Sequence, residues 1–250
     1  MKSLYKIAIS CILTVNAYAF RLGILSDIHI GEGCISPYNY DENCYSVQNA
    51  RRTVNYINAN LSSEIDLIII TGDITGSGQR TQYEKANEIL SGLTVPWVPL
   101  IGNHDTWPYS ATWEHPTADG DAYFGDVFGP HIKNSKFVSH YPNITAYDPV
   151  HGFNQTPQNI EITIDLGETD AVIFGGDFNT RMHALFGDKG NLGQADLNDF
   201  LGGAMNWLRS RLQADRPKNV SQAFLAQHQP LKCPWYIPNA GFCFSNYDQD

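Results

Sequence analysis

Three short apolar runs punctuate the first hundred positions: Leu22-Gly23-Ile24-Leu25, Leu67-Ile68-Ile69-Ile70 and Trp97-Val98-Pro99-Leu100-Ile101. Four or five consecutive apolar residues are what a buried strand needs on both faces. Between the runs the period changes. Val47, Ala50, Val54, Ile57 and Leu61 recur at steps of three and four, as do Tyr83, Ala86, Leu90 and Leu93. Each set traces one face of an amphipathic helix. Strand, helix, strand, helix, strand at this spacing predicts right-handed βαβ crossovers with parallel strands. A Gly/Pro/Tyr/Asn-rich loop over 31–45 separates the first strand from the first helix.

Residues 106 to about 158 break the pattern. Trp107, Tyr109, Trp113, Tyr123, Phe124, Phe128 and Tyr141 fall there without a clean period, among prolines and glycines. So long an irregular stretch predicts a functional lid or binding loop, and its aromatics argue against disorder. Ile160, Ile162, Ile164 and Leu166 then alternate as a half-buried strand, and 171–175 reads as another. Leu197, Phe200, Leu201, Ala204, Leu208 and Leu212 mark a helix, followed by a strand over 223–226 and then His228. No internal repeat, heptad or low-complexity tract occurs.

The first 19 residues read as a secretory signal: Lys2 and Lys6, an apolar stretch over 7–15, then Ala17-Tyr18-Ala19 before Phe20. Cleavage after Ala19 would give a secreted or lumenal protein; an uncleaved anchor is the alternative. The apolar stretch is shorter than the roughly 20 residues that span a bilayer, so no transmembrane anchor is expected. Residues 20–250 are then one domain, and the formal charge moves from −10 to −12 as Lys2 and Lys6 leave. So acidic a chain is poorly suited to gripping nucleic acid through its phosphates. Anionic small substrates stay open, because bound cations reverse the field locally.

Cys34, Cys44, Cys233 and Cys243 remain after the signal, an even number in an exported chain. The local pairs Cys34–Cys44 and Cys233–Cys243 are the favoured disulfides. A four-thiolate zinc site is the rival, although such sites usually space each pair two to four residues apart. Asn60, Asn143, Asn154 and Asn219 each open an Asn-x-Ser/Thr sequon, a glycosylation signal in a eukaryotic exported protein.

Each of the first three strands ends on polar groups: Asp27-Ile28-His29, Gly72-Asp73 and Gly102-Asn103-His104-Asp105. Taken singly, each is an ordinary solvated strand end. Taken in order, they deliver carboxylate, imidazole and amide to one sheet edge, where open α/β sheets bind ligands. On a straight strand Asp27 and His29 face the same side. Asp73 has two oxygens and can bridge two ions, Asn103 offers a carbonyl oxygen, and His228 another imidazole. Two metals about 3.5–4 Å apart clamp a phosphoryl oxygen and generate a hydroxide at neutral pH. His104 is placed to act as general acid, with Asp105 orienting its ring.

This order of motifs resembles the calcineurin-like metallophosphoesterases, from about Phe20 to Pro230 and most specifically over Asp27–Asp105. Among them it is most similar to secreted members akin to acid sphingomyelinase-like phosphodiesterases. The resemblance implies an α/β fold, a β-sandwich of two mixed sheets flanked by helices, with a dinuclear site at one edge. It implies that Asp27 and His29 hold one metal, that Asp73 bridges, that Asn103 and His228 hold the second, and that His104 protonates the leaving group. Zn, Mn and Fe all suit such a mixed N/O set. The chain departs from the family in lacking a Gly-His-x-His segment after His228, which leads to the expectation of a C-terminally truncated domain with an incomplete second sheet. It also has no Tyr shortly after Asp73, so an Fe–Tyr charge-transfer centre is not expected.

Gly176-Asp177-Phe178-Asn179 also resembles a segment of the DNase I-like nucleases, but the early Glu and late Ser-Asp-His of that family are absent, and Asp177 reads as a turn residue. His115, His131, His140, His151 and His183 read as solvated loop residues. The function expected is therefore metal-dependent hydrolysis of a small phosphate mono- or diester, with a nucleotide or phospholipid-like substrate suggested by the aromatic stretch. The alternative is a secreted non-catalytic binding protein that keeps the scaffold around an incomplete metal site.

Overall fold

The apolar runs become β1 (Leu22–Leu25), β2 (Leu67–Ile70) and β3 (Trp97–Pro99), paired in parallel in the order β1-β2-β3. Two helices, α1 (Tyr45–Asn60) and α2 (Arg80–Leu90), connect them and bury the apolar faces expected, with Val47, Ala50, Val54 and Ile57 inside on the first and Tyr83, Ala86 and Leu90 on the second. The computed structural model describes residues 19–34, 42–106, 120–149, 153–179, 197–215 and 219–229. Residues 1–18 of the signal-like segment, the Cys233 and Cys243 pair, Trp107, Tyr109, Trp113, His115, His151 and His183 lie outside the described residues.

A second, mixed sheet has the order β4-β7-β8-β9. Its strands are β4 (Val138–His140), β7 (Ile160–Asp165), β8 (Asp170–Gly175) and β9 (Val220–Ala226). β7 runs antiparallel to both β4 and β8, and β9 runs parallel to β8 after α4 (Ala204–Asp215). A hairpin of β5 (Ala146–Asp148) and β6 (Phe153–Gln155) stands apart. Strand alternation divides β8 between two layers. Ala171 and Ile173 join Ile160, Ile162 and Ile164 in the core shared with β2 and β3, whereas Val172 and Phe174 pack on Trp207 of α4. The result is two sheets face to face with helices outside, the α/β sandwich expected.

Three expectations change. Residues 106–158 are not one irregular lid: α3 (Gly120–Asn134) occupies its centre, and β4, β5 and β6 follow. Phe124, Phe128 and Ile132 step by four and are wholly buried, a helical period hidden in sequence by Gly125, Gly129 and Pro130. The last helix begins at Ala204 rather than Leu197, because Gly202 (φ 96°) interrupts it and leaves Leu201 84% exposed. The first sheet is wholly parallel rather than mixed among the described residues.

Cys34 and Cys44 form a disulfide, which removes both from a four-thiolate zinc site. No helix among the described residues is long and apolar enough to cross a membrane.

Candidate metal centre

The site begins with backbone strain. Asp27, His29 and Asp73 have φ of 56°, 49° and 50°, in the left-handed region that L-residues rarely adopt. Each such residue costs about 1–2 kcal/mol and needs its surroundings to impose it. Here the imposition is a ladder that continues past the strand ends: Thr71 N donates to Leu25 O (2.8 Å), Asp27 N to Gly72 O (3.1 Å), His29 N to Asp73 O (2.9 Å) and Ile30 N to Ile74 O (2.9 Å). The side chains of Asp27 and His29 therefore converge through paired left-handed turns, not through the strand alternation expected, since β1 ends at Leu25.

Two glycines let the loops touch. A Cβ on Gly72 (φ 107°) would stand 2.7 Å from the Gly102 backbone and 3.0 Å from the His228 Cβ. A Cβ on Gly102 would stand 2.2 Å from both N and Oδ1 of Asp73. Any side chain at either position would push the strand ends apart.

Asp73 is the hub. Its Oδ2 lies 3.1 Å from His228 Nε2, 3.7 Å from His29 Nε2 and 4.0 Å from His104 Nε2. Its Oδ1 accepts the His104 backbone N–H at 2.9 Å. Asp27 Oδ1 is 3.5 Å from His29 Nε2. Two overlapping groups of donors result, His29/Asp73/His104 and Asp27/Asp73/His228, with the donor atoms of each within 4.8 Å of one another. Asp73 belongs to both. Carboxylate oxygens and imidazole nitrogens so gathered fit a divalent cation.

The ring orientations are set by carbonyls. His104 Nδ1 lies 2.9 Å from Gly76 O, and His228 Nδ1 3.0 Å from Thr71 O. A carbonyl only accepts, so Nδ1 carries the hydrogen in both and Nε2 faces the centre. Burial raises the Asp73 carboxyl pKa, but the hydrogen bond and charge of His228 and the charge of His104 outweigh it and hold the group below its ordinary value. Burial lowers the His228 pKa, but Asp73 outweighs it and raises the imidazole.

Asn103 is buried with its Oδ1 bonded by Gln229 Nε2, a partner that sequence reading missed although it adjoins His228. Asp105 has a different place from the one expected. Its Oδ1 accepts Thr75 N and Thr75 Oγ1 (both 2.8 Å), and its Oδ2 accepts Gly102 N (2.9 Å) and Ile74 N (3.1 Å). It ties the loops after β2 and β3 together, while the Gly76 carbonyl orients the His104 ring. Burial and the neighbouring Asp73 charge push the Asp105 carboxyl up to about 6, against the pull of these hydrogen bonds.

Asp177 and Asn179 are structural, as the turn reading implied. Asp177 accepts Gln158 N (2.8 Å), and Asn179 Nδ2 donates to Ile101 O (3.0 Å) just ahead of Gly102. His131 and His140 pack rather than hang in solvent: His131 stacks on Trp97 with centroids 3.9 Å apart, and Trp207 Nε1 donates to His140 Nδ1 at 3.1 Å.

The family model of the calcineurin-like phosphoesterases matches residues 20–247. The probable glycerophosphodiester phosphodiesterase GpdQ of Arcobacter nitrofigilis is 35% identical over 81 residues, which is 32% of this chain and 28% of that protein. The similar stretch thus spans under a third of that relative. Among solved structures, the phosphopantetheinyl hydrolase PptH from Mycobacterium tuberculosis is 14% identical with a TM-score of 0.40, covering 85% of this chain and 69% of that one. The purple acid phosphatase PPD1 from yellow lupin seeds is 16% identical with a TM-score of 0.30, covering 62% and 24%. With the family model running through every strand and every proposed ligand, this chain belongs to the calcineurin-like phosphoesterases, a family of phosphoric ester hydrolases.

Proposed function

We propose that the protein hydrolyses small phosphate mono- or diesters with two divalent ions held by Asp27, His29, Asp73, Asn103 and His228, and with His104 as general acid. One observation carries this reading: a single buried carboxylate, Asp73, gathers Asp27 and His228 in one donor group and His29 and His104 in another, and of these four His104 is the one assigned to the leaving group. Bound divalent ions polarise phosphoryl oxygens and lower the pKa of water; Zn, Mn and Fe suit the donors.

The chain's own residues do the rest. Asp73 is held by the His104 N–H at one oxygen, which leaves the other for the centre. His228, fixed by Thr71 O, presents Nε2 and gives up the proton it shares with Asp73 when a cation binds. His104 is fixed by Gly76 O with Nε2 towards the centre, where its imidazolium form hands a proton to the departing oxygen. The likeness to a probable glycerophosphodiester phosphodiesterase favours diesters. The disulfide and the signal-like start favour a secreted or lumenal location, with residues 20–250 as the working domain. Nucleotide or phospholipid-like esters are the substrates to try first.

One observation favours the non-catalytic alternative: Gln229 already engages the Asn103 oxygen. Purified protein with added Mn or Zn should hydrolyse p-nitrophenyl phosphate or its bis ester. A chelator should abolish the activity, and Asp73→Asn should reduce kcat/KM about a thousandfold, or ~4 kcal/mol. Activity indifferent to both would refute the metal mechanism. Metal binding without turnover on any ester would leave the binding protein.

A further inference from the structure

Three imidazoles face Asp73, but only two are steered by the main chain. His104 and His228 each direct Nδ1 to a carbonyl, at 2.9 and 3.0 Å. His29 Nδ1 is buried and makes no hydrogen bond. Opposite it stands the carboxylate of Glu32, with Oε1 at 3.3 Å. The other ring nitrogen, Nε2, faces Asp27 Oδ1 at 3.5 Å and Asp73 Oδ2 at 3.7 Å. The ring therefore spans from Glu32 to the centre.

We propose that Glu32 is the positioning residue for His29. Its carboxylate, in ion-pair contact at 3.3 Å, is the acceptor within reach of an Nδ1 that is otherwise buried without one, where the main chain serves the other two histidines. Of the three carboxylates about the ring its oxygen is the nearest, 3.3 Å against 3.5 and 3.7 Å, and a carboxylate only accepts, so it favours the Nδ1–H tautomer and turns the Nε2 lone pair towards the centre. The inference rests on the reading of His29 as a metal ligand.

The local chain is built to hold Glu32 there. Glu32 N donates to His29 O at 3.0 Å, closing a turn of which His29 is the left-handed first residue. Gly31 N donates to Ser46 Oγ at 3.2 Å, tying that turn to the first turn of α1. The Cys34–Cys44 bridge pins the same segment to the residue just before α1, and both of its sulfurs lie within 3.9 Å of the Glu32 carbonyl. The main chain of Glu32 is thus fixed although its carboxylate is 57% exposed.

The test compares wild type with Glu32→Ala, Glu32→Gln and Glu32→Asp in two measurements. Calorimetric titration with Mn²⁺ should show roughly 10–100-fold weaker binding for Glu32→Ala. Glu32→Gln, which keeps an acceptor without the charge, should fall between, and Glu32→Asp should recover part of the loss. Imidazole ¹⁵N NMR of the metal-free proteins should show His29 as the Nδ1–H form in wild type and as mixed tautomers in Glu32→Ala. Unchanged Mn²⁺ affinity in Glu32→Ala overturns the proposal. So does weaker affinity with an unchanged His29 tautomer, which would mean long-range charge rather than positioning. A wild type that binds no Mn²⁺ overturns the metal reading itself. The NMR comparison still decides separately whether Glu32 holds the ring.

Discussion

Asp73 and Asp27 are both aspartates in left-handed conformations just past a parallel strand, yet their surroundings are opposite. Asp73 leaves the central strand β2, whose residues are all buried, and its side chain is 5% exposed. Asp27 leaves the edge strand β1, where Ile24 is 69% exposed, and its own side chain is 57% exposed. The deep half of the centre is organised by main-chain groups: the Thr71 and Gly76 carbonyls, the His104 N–H and the contact between Gly72 and Gly102. The outer half is organised by side chains, Asp27 and Glu32 about His29. Main-chain support makes the deep half part of the fold. Side-chain support makes the outer half adjustable without disturbing it.

The strongest challenge to that division is Asp105→Asn. The replacement puts an NH₂ group where N–H donors of Thr75, or of Gly102 and Ile74, already point in a buried site. The expected loss is about 3 kcal/mol or more, read as a fall in Tm of roughly 6–12 °C for a chain of this size. A change within 1 °C would show that the deep half does not depend on this tie.

Next in size is the response to pH. Asp105 is raised from 3.8 to about 6, so the folded state holds the extra proton between those values and loses stability as pH rises through them. His228 is raised above 6.5, so its contribution is complete below 6.5 and lost as pH climbs through the folded value. Asp73 is lowered, so its contribution is present above 3.8. The metal-free protein should therefore be most stable near pH 4, losing stability first as Asp105 ionises towards pH 6 and then as His228 loses its proton towards pH 8, by up to about 1.4 kcal/mol per pH unit per proton, read as a falling Tm. Mn²⁺ should raise Tm more at pH 8 than at pH 6, because binding displaces the proton between His228 and Asp73. Equal increments at both values would sever the link between the ion pair and the metal.

The smallest effect on stability is expected at the surface. Asp27→Asn should leave the metal-free protein within about 0.5 kcal/mol of wild type, while weakening Mn²⁺ binding tenfold or more as a ligand is lost. A large drop in metal-free stability would place Asp27 with the deep half after all.

The sequence made β1 to β3, α1, α2 and the order of the ligands readable, because four-residue apolar runs and steps of three and four leave few alternatives. It hid α3, where Phe124, Phe128 and Ile132 keep helical time but Gly125, Gly129 and Pro130 argue against a helix. The residue types at the centre were legible; their means of support were not. Gly76 O orients His104, and Asp105 serves the loops, because hydrogen bonds between separate loops carry no local signature. Glu32 and Gln229 sat within three residues of expected ligands and were passed over, as polar residues beside a motif look like ordinary surface.

The left-handed aspartates and histidine also bear on any effort to make this protein sturdier. At Asp27 and His29 a glycine would relieve about 1–2 kcal/mol of conformational penalty apiece, whereas at Asp73 it would also strip His228 and the His104 N–H of their carboxylate, so a redesign scored on robustness alone would select glycine at the two outer positions. Such a variant would tolerate heat better but lack two donors of the proposed metal centre, which marks both positions as ones to freeze before any optimisation begins.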